Sequence, residues 1–148
     1  QGEGGGRFHE VMPKGAVANA VKYTGRGCAF GDLDNDGDAD IVVINNNGPG
    51  QILVNEAPKA GGSVTLTLHD RDGITALGAQ LEIHCGDRVL HRHVARSYSY
   101  CSSNDPRIHV GLATAAQIDR VAVKWLDGTR SEHGPYPAGT FASIRQAR

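Results

Sequence analysis

The sequence contains little methionine and few aromatic residues, with one Met and 5% Phe, Trp and Tyr in 148 residues. No stretch approaches the roughly 18 consecutive apolar residues that a membrane-spanning helix needs. Neither sign of charge dominates, because 15 basic residues balance 16 acidic ones to a formal charge of −1. That balance argues against a nucleic-acid binder held by bulk charge. Since glycine is abundant, at 20 residues, the composition favours turn-rich β structure over a helix bundle.

Cysteine is also scarce, and its placement excludes one kind of metal site. The three cysteines are Cys28, Cys85 and Cys101, and none forms a C-x-x-C pair of the kind that binds zinc. An odd count permits at most one internal disulfide. Cys85 and Cys101 are the candidate pair for a disulfide in an oxidising compartment, and two buried free thiols are the alternative.

Motifs of the common hydrolases and nucleotide-binding enzymes are absent as well. We find no nucleophile elbow, no Ser-x-x-Lys, no H-E-x-x-H and no phosphate-binding P-loop. The carboxylates that lie close together in sequence fall in a pattern that indicates metal binding rather than acid–base catalysis. We therefore expect a protein that is not an enzyme.

Acidic residues are concentrated in one short segment, which has the form D-x-D-x-D-G-x-x-D. It runs Asp32-Leu33-Asp34-Asn35-Asp36-Gly37-Asp38-Ala39-Asp40. Carboxylates at alternate positions converge on one point when the chain coils tightly, and Gly37 permits the sharp bend. Ca²⁺ takes 6–8 oxygen ligands in irregular geometry, whereas Mg²⁺ prefers a stricter octahedron. We predict one Ca²⁺, held by the side chains of Asp32, Asp34, Asp36 and Asp40 and by the backbone carbonyl of Asp38. The alternative is a solvated acidic turn.

This loop differs from an EF-hand in two respects. An EF-hand needs a bidentate Glu at loop position 12, and that position holds Val43. The residues after the loop, Ile41 to Ile44, form a β-branched run that indicates a buried strand rather than a helix. We expect the loop to connect two strands, with Asp40 as its final ligand.

The rest of the chain also indicates an all-β fold. Val64, Leu66 and Leu68 alternate with polar residues, as do two later segments, and Asp127-Gly128 is a two-residue hairpin signal. Turn signals separate six or seven short strands, which together suggest a β-sandwich. We predict two parts, a calcium-binding β segment over residues 1–58 and a β-sandwich over residues 59–148, with the hairpin packed on or beside the sandwich.

The segment from Arg26 to Ile41 resembles an FG-GAP (VCBS-type) repeat. Such repeats are blades of integrin-like β-propellers, and each has a calcium loop that joins two strands. Phe8-His9-Glu10-Val11 resembles the short strand that opens these repeats. A propeller needs about 4–8 blades, and this sequence carries one calcium motif, so the resemblance implies either the C-terminal part of a longer protein or a subunit whose blade is completed differently.

The C-terminal part resembles the ASPIC/UnbV domain, which follows FG-GAP repeats in cartilage-acidic-protein-like extracellular proteins. The matching elements are Ala76-Leu77-Gly78-Ala79, Ser97-Tyr98-Ser99-Tyr100, His109-Val110-Gly111-Leu112 and the segment from Val121 to Gly128. The sequence departs from the family at Leu126, where Pro is usual, and at Val110, where Phe is usual. The Asn-Arg pair that usually precedes Ala76 is missing.

Three histidines are a second candidate metal cluster. His91 and His93 share one face of a predicted strand, and His84 lies on the preceding strand. Imidazoles spaced in this way can bind Zn²⁺ or Cu²⁺. Because arginines are interspersed with them, a solvent-facing strand surface is the alternative interpretation.

The function expected from these features is that of a secreted, calcium-binding structural or adhesive protein, located outside the cell or on its surface. Weak calcium sites are typical of extracellular modules, and cleavage of a signal peptide would account for a chain that begins at Gln1. Open strand edges predict a homo-oligomer formed by strand addition, as a ring or an extracellular filament. The alternative is a carbohydrate- or protein-binding module of a larger β-propeller protein. We expect no nucleic-acid partner and no membrane span.

Overall fold

A computed structural model describes residues 2–4, 6–9, 23–58 and 61–148. Within these ranges the chain forms fourteen β-strands and no helix, which confirms the all-β prediction. The first five strands are β1 (Gly2–Gly4), β2 (Arg7–Phe8), β3 (Thr24–Gly31), β4 (Asp40–Asn46) and β5 (Gln51–Leu53). The others are β6 (Gly62–His69), β7 (Gln80–Cys85), β8 (Arg88–His93), β9 (Ile108–Ala113), β10 (Gln117–Ile118), β11 (Arg120–Lys124), β12 (Arg130–His133), β13 (Tyr136–Pro137) and β14 (Phe141–Arg145).

Strands β6 to β14 form the predicted sandwich, with β10 and β13 paired as a separate two-stranded sheet beside its two main sheets. One sheet has the order β12-β11-β7-β8, and the other has the order β14-β6-β9, in which β14 runs parallel to β6. The alternation read from the sequence is confirmed on β6, where Val64, Leu66 and Leu68 are at most 1% exposed. Their partners in the core come from β7, β9, β10, β11 and β14, and Leu90 on β8 is partly buried against them. Burial of each such side chain contributes roughly 1.5–3 kcal/mol.

The turn at Asp127-Gly128 differs in detail from the two-residue prediction. The N–H of Gly128 donates to the carbonyl of Trp125, and the N–H of Trp125 donates to the carbonyl of Thr129. The loop therefore has three residues, and Gly128 ends it with a φ of +86°. This is the common three-residue hairpin connection, a turn followed by a glycine in the left-handed region. The hairpin itself is present, since β11 pairs with β12.

The acidic segment lies in a separate three-stranded sheet with the order β3-β4-β5. The prediction that Ile41 to Ile44 form a strand is confirmed, but the prediction that this strand is buried is wrong. Ile44 is 55% exposed, and Ile52 on the neighbouring strand is 64% exposed. A β-branched run predicts a strand, but it does not predict how many faces of that strand are covered. In the described residues, this sheet contributes no side chain to the apolar core.

A loop of the sandwich is hydrogen-bonded to the edge of this smaller sheet. The N–H of Phe30 on β3 donates to Oδ1 of Asn104 at 2.9 Å, and the N–H of Asp105 donates to the carbonyl of Phe30 at 3.0 Å. Asn104 is buried, and its amide also donates to the carbonyl of Arg96. The loop at residues 104–105 therefore satisfies part of an edge that would otherwise be open.

The N-terminal strands β1 and β2 form a two-stranded sheet and pair with no other strand in the described part of the chain. Phe8, which the sequence places in an opening strand, is the last residue of β2 and is 82% exposed. Val11, the end of that predicted strand, lies outside the described residues. The predicted boundary between residues 58 and 59 stays a prediction.

Candidate metal site

The acidic loop connects β3 to β4, and the pair Gly31–Asp40 closes the ladder beneath it. Carboxylate oxygens of Asp32, Asp34 and Asp40 lie within 4.8 Å of one another. Two of these residues are buried, with Asp40 at 1% and Asp32 at 7% exposure, while Asp34 is exposed. Three hard oxygen donors on one side of a tight loop are the ligand type that Ca²⁺ prefers.

Backbone hydrogen bonds to Asp32 shape the first half of the loop. Its Oδ1 accepts from the N–H of Asp36, and its Oδ2 accepts from the N–H of Gly37, both at 3.1 Å. Gly37 has a φ of +94°, a conformation that L side chains rarely adopt, and an added Cβ would lie 2.7 Å from Oγ of Ser63. Glycine is thus required here both for the bend that the sequence predicted and for the approach of the loop to β6.

Asp40 fixes the second half of the loop. Its Oδ2 accepts from the N–H of Leu33 and its Oδ1 accepts from the N–H of Asn55, both at 2.8 Å. One buried carboxylate therefore links the start of the loop to the segment that follows β5. Each oxygen keeps a second lone pair that can coordinate a cation.

The two remaining predicted ligands lie in the same loop but outside the cluster of three. Oδ1 of Asp36 accepts the N–H of Asp38 at 2.9 Å. The structure thus brings three of the five aspartates, Asp32, Asp34 and Asp40, together as a set of possible ligands. Coordination by the Asp36 side chain and by the Asp38 carbonyl stays a prediction.

Arg107 joins the sandwich to the acidic loop, a role that no sequence pattern predicted. Its guanidinium donates to the carbonyl of Asp32, to Oδ1 of Asn35 and to Oδ2 of Asp105, each at 2.6 Å. The first two partners are 75 and 72 residues away in sequence. No local pattern could have revealed such a long-range contact.

The three histidines lie on the outward face of the four-stranded sheet. His91 pairs with Glu82 and His93 pairs with Gln80 between β8 and β7. Nε2 of His84 lies 2.7 Å from Oε1 of Glu82 and 2.8 Å from the guanidinium of Arg120. The hydrogen bond from His84 is the main cause that lowers the pKa of Glu82.

These contacts make a network of surface side chains. Among the described residues, potential metal ligands come together in one group, the three aspartates of the loop, so His84, His91 and His93 do not form one. This arrangement favours the interpretation of a solvent-facing strand surface.

The predicted disulfide is not formed in the structure, where all three cysteines are free. Cys85 ends β7 with its side chain in the apolar core, at 2% exposure, and burial raises the pKa of its thiol. Cys101 is exposed in a turn, with a φ of +48°. Strand alternation points Cys85 into the core, whereas Cys101 lies at the surface.

The fold and the loop define a class: an all-β chain in which one strand–loop–strand unit with an acidic loop precedes a β-sandwich. The model of the ASPIC and UnbV family matches residues 61–148, and that of the FG-GAP repeat matches residues 24–66. The first match covers more than half of the chain, which therefore belongs to the ASPIC and UnbV family, with an FG-GAP repeat before the family domain. These domains are typical of extracellular or surface proteins of the adhesion type that are associated with β-propellers.

No curated protein matches the chain significantly. In the described residues, no helix is long and apolar enough to cross a membrane.

Proposed function

We propose that this protein is an extracellular, non-enzymatic structural or adhesive component that is stabilised by one Ca²⁺ and associates with copies of itself. One observation carries the calcium part of the proposal. The only side chains buried in the described part of the small sheet and its loop are polar, namely Asp32, Asp40 and Asn45. Buried carboxylates that lie close together repel each other unless a cation or a proton compensates their charge.

Calcium would compensate this charge and add its binding free energy to the stability of the folded loop. A ligand that binds only the folded state contributes about 2.7 kcal/mol when its concentration is 100 times its dissociation constant. The FG-GAP match supports this assignment, since repeats of this kind often bind Ca²⁺. Because the carboxylates of Asp32 and Asp40 are engaged by backbone N–H groups, they hold the loop in shape and are poorly placed to exchange protons with a substrate.

Self-association is supported by the exposed face and edge of the small sheet. Ile44, Ile52 and Val54 are each more than half exposed, and β5 is an edge strand with no partner on its outer side in the described residues. Edge strands of this kind recruit further strands, and the separate β1–β2 sheet is a segment that a neighbouring copy could receive. The same surface would pack against an adjacent blade if the chain were a module of a larger propeller.

Substitution of the exposed ligand candidate tests calcium binding. Asp34→Asn should abolish the rise in melting temperature that Ca²⁺ produces in the original protein. In excess chelator it should leave the melting temperature unchanged or raise it, because it removes one carboxylate from a cluster whose members repel each other. Asp34 suits this test because its side chain accepts one hydrogen bond, from the N–H of Asp36. Asp72→Asn removes the same charge from an exposed turn and is the matched control. A melting temperature of the original protein that is indifferent to chelation would contradict the proposal.

Sedimentation of two surface variants tests association. Ile52→Thr keeps a β-branched residue on β5 but removes apolar surface, so we expect it to shift the protein from oligomers toward monomers. Val89→Thr makes the same kind of change on an exposed strand of the sandwich and should leave the assembly intact. Full-length protein that stays a monodisperse, calcium-loaded monomer at high concentration would favour the propeller-module alternative.

A further inference from the structure

A cleft of about 450 Å³ lies between the small sheet and the sandwich. It is lined by the end of β3 and the acidic loop, by β8 and the segment after it, and by the outward face of β6 and β9. Ligand-binding clefts have volumes of about 300–1,000 Å³ and preferentially form where structural units meet.

Two buried polar atoms at the bottom of this cleft lack hydrogen-bond partners within the described part of the chain. They are Oγ1 of Thr65 and Nδ1 of His109. Thr65 is only 3% exposed, and the two residues are paired in register between β6 and β9, so their side chains lie side by side. A buried hydroxyl without a partner is unfavourable, and such groups in native proteins call for an explanation such as a bound molecule.

Two aromatic side chains line the cleft. Phe30 on β3 and Tyr98 after β8 both border the cleft and remain 41% and 59% exposed. Burial, and then the charge of Asp105, raise the pKa of the Tyr98 phenol, which therefore stays a neutral hydrogen-bond donor. The cleft thus combines flat apolar surfaces with hydroxyl and imidazole groups at its base.

Two of the charges around the cleft compensate each other, because Arg107 and Asp105 form an ion pair with an N–O distance of 2.6 Å. Arg92 is a single further cation, and its guanidinium donates to the backbone carbonyl of His91. The carboxylate of Asp32 faces the acidic loop, where it accepts two backbone hydrogen bonds. A site for a phosphate or another anion would present a cluster of cations without such partners. A neutral ligand with several hydroxyl groups fits these surroundings better.

We propose that this cleft binds a sugar, as one pyranose ring of a glycan. The apolar face of the ring packs against an aromatic side chain. Oγ1 of Thr65 and Nδ1 of His109 are buried in the empty cleft, so the two side chains rotate toward the cleft when the sugar binds, and the hydroxyl groups of the sugar then bond to these atoms. Both atoms suit a hydroxyl partner, because the threonine hydroxyl donates and accepts and a neutral imidazole nitrogen does one or the other. The inference goes beyond the proposed function and does not depend on self-association.

The test is ligand-observed NMR of the full chain in calcium-containing buffer with glucose, galactose, mannose, N-acetylglucosamine and glucuronate. We expect at least one of these sugars to bind. Thr65→Val keeps the shape of the side chain and removes only the hydroxyl, so it should weaken binding about threefold to tenfold, the range for one hydrogen bond. Tyr98→Ala should weaken binding as well. Tyr100→Ala, which removes a 72% exposed ring outside the cleft, should not.

The same valine variant separates a ligand contact from a structural role. Because Oγ1 of Thr65 has no hydrogen-bond partner among the described residues, its removal should leave the melting temperature unchanged or raise it. Three results would overturn the proposal: no sugar binds, binding survives both Thr65→Val and Tyr98→Ala, or Thr65→Val lowers the melting temperature by several degrees.

Discussion

The sandwich and the small FG-GAP sheet are both antiparallel for the most part, yet they are held together in different ways. Every buried apolar side chain of the described core lies between Val64 and Ile144, in the sandwich. In the small sheet the buried side chains are Asp32, Asp40 and Asn45. A sheet can thus be stabilised by the apolar area that it buries, or by hydrogen bonds and charge compensation around a polar centre.

The consequence is that the small sheet depends on what surrounds it. A two- or three-stranded sheet without a covered apolar face is marginal in water. Here the sandwich supplies Asn104 and Arg107 along one side of the sheet and Ser63 beneath the loop. These contacts, together with the proposed cation, take the place of a core.

The largest effect that would sharpen this comparison is expected from a cavity in the sandwich. Leu66→Ala removes a fully buried side chain and should lower the free energy of unfolding by about 2–5 kcal/mol. Ile52→Ala, on the 64% exposed position of the small sheet, should cost less than about 0.5 kcal/mol. Denaturant unfolding of both variants in calcium-free buffer measures the difference. Equal losses would mean that the small sheet has an apolar core after all.

An intermediate effect is expected at the connection between the two regions. Arg107→Met keeps the aliphatic part of the side chain but removes three hydrogen bonds, so it should destabilise the acidic loop while the sandwich core stays intact. Hydrogen bonds to charged groups contribute about 1.5–3 kcal/mol each when desolvated. The Arg107 and Asp105 side chains are 25% and 23% exposed, so their pair contributes less. Hydrogen exchange should show faster exchange at the amides of Asp36 and Gly37 and unchanged exchange on β6.

A matched control for Arg107 is available on β12. Arg130 is exposed and lies on the far edge of the four-stranded sheet, so Arg130→Met should alter neither region. If Arg107→Met accelerated exchange in both regions to the same degree, the arginine would support the whole chain rather than the loop.

The comparison also explains which features the sequence could predict. The core of β6 follows from alternation, because a strand with one covered face shows it directly, and the acidic loop follows from residue types at fixed spacing. Both signals are local. Arg107 and Asn104 escaped prediction because their partners are 72 to 75 residues away in sequence.

Burial on the small sheet was predicted wrongly for a related reason. Ile41 to Ile44 form a strand as expected, but whether its faces are covered depends on elements that a short segment does not encode. The pairing of Cys85 with Cys101 failed likewise, because strand alternation directs Cys85 into the core.

The smallest expected effect is a pH dependence confined to the sandwich. The indole N–H of Trp125 donates to Oγ of Ser131, which lies 2.8 Å from Nε2 of His133. Burial lowers the pKa of His133 below its ordinary value of 6.5, so the folded state prefers the neutral imidazole. Below about pH 6.5 the unfolded chain takes up this proton more readily than the folded one, and stability should therefore fall as the pH drops through the lowered pKa. Above about pH 6.5 the histidine does not make the stability depend on pH.

Trp125 is the one tryptophan of the chain, so its fluorescence reports unfolding of the sandwich. We expect the stability of the original protein to decline more steeply between pH 6.5 and 5 than that of His133→Gln, which cannot take up the proton. The lowered pKa values of Glu82, Asp119 and Asp127 place their own titrations below their ordinary values near pH 4, outside this window. Parallel curves for the two proteins from pH 6.5 to 5 would show that His133 is charged as easily in the fold as outside it.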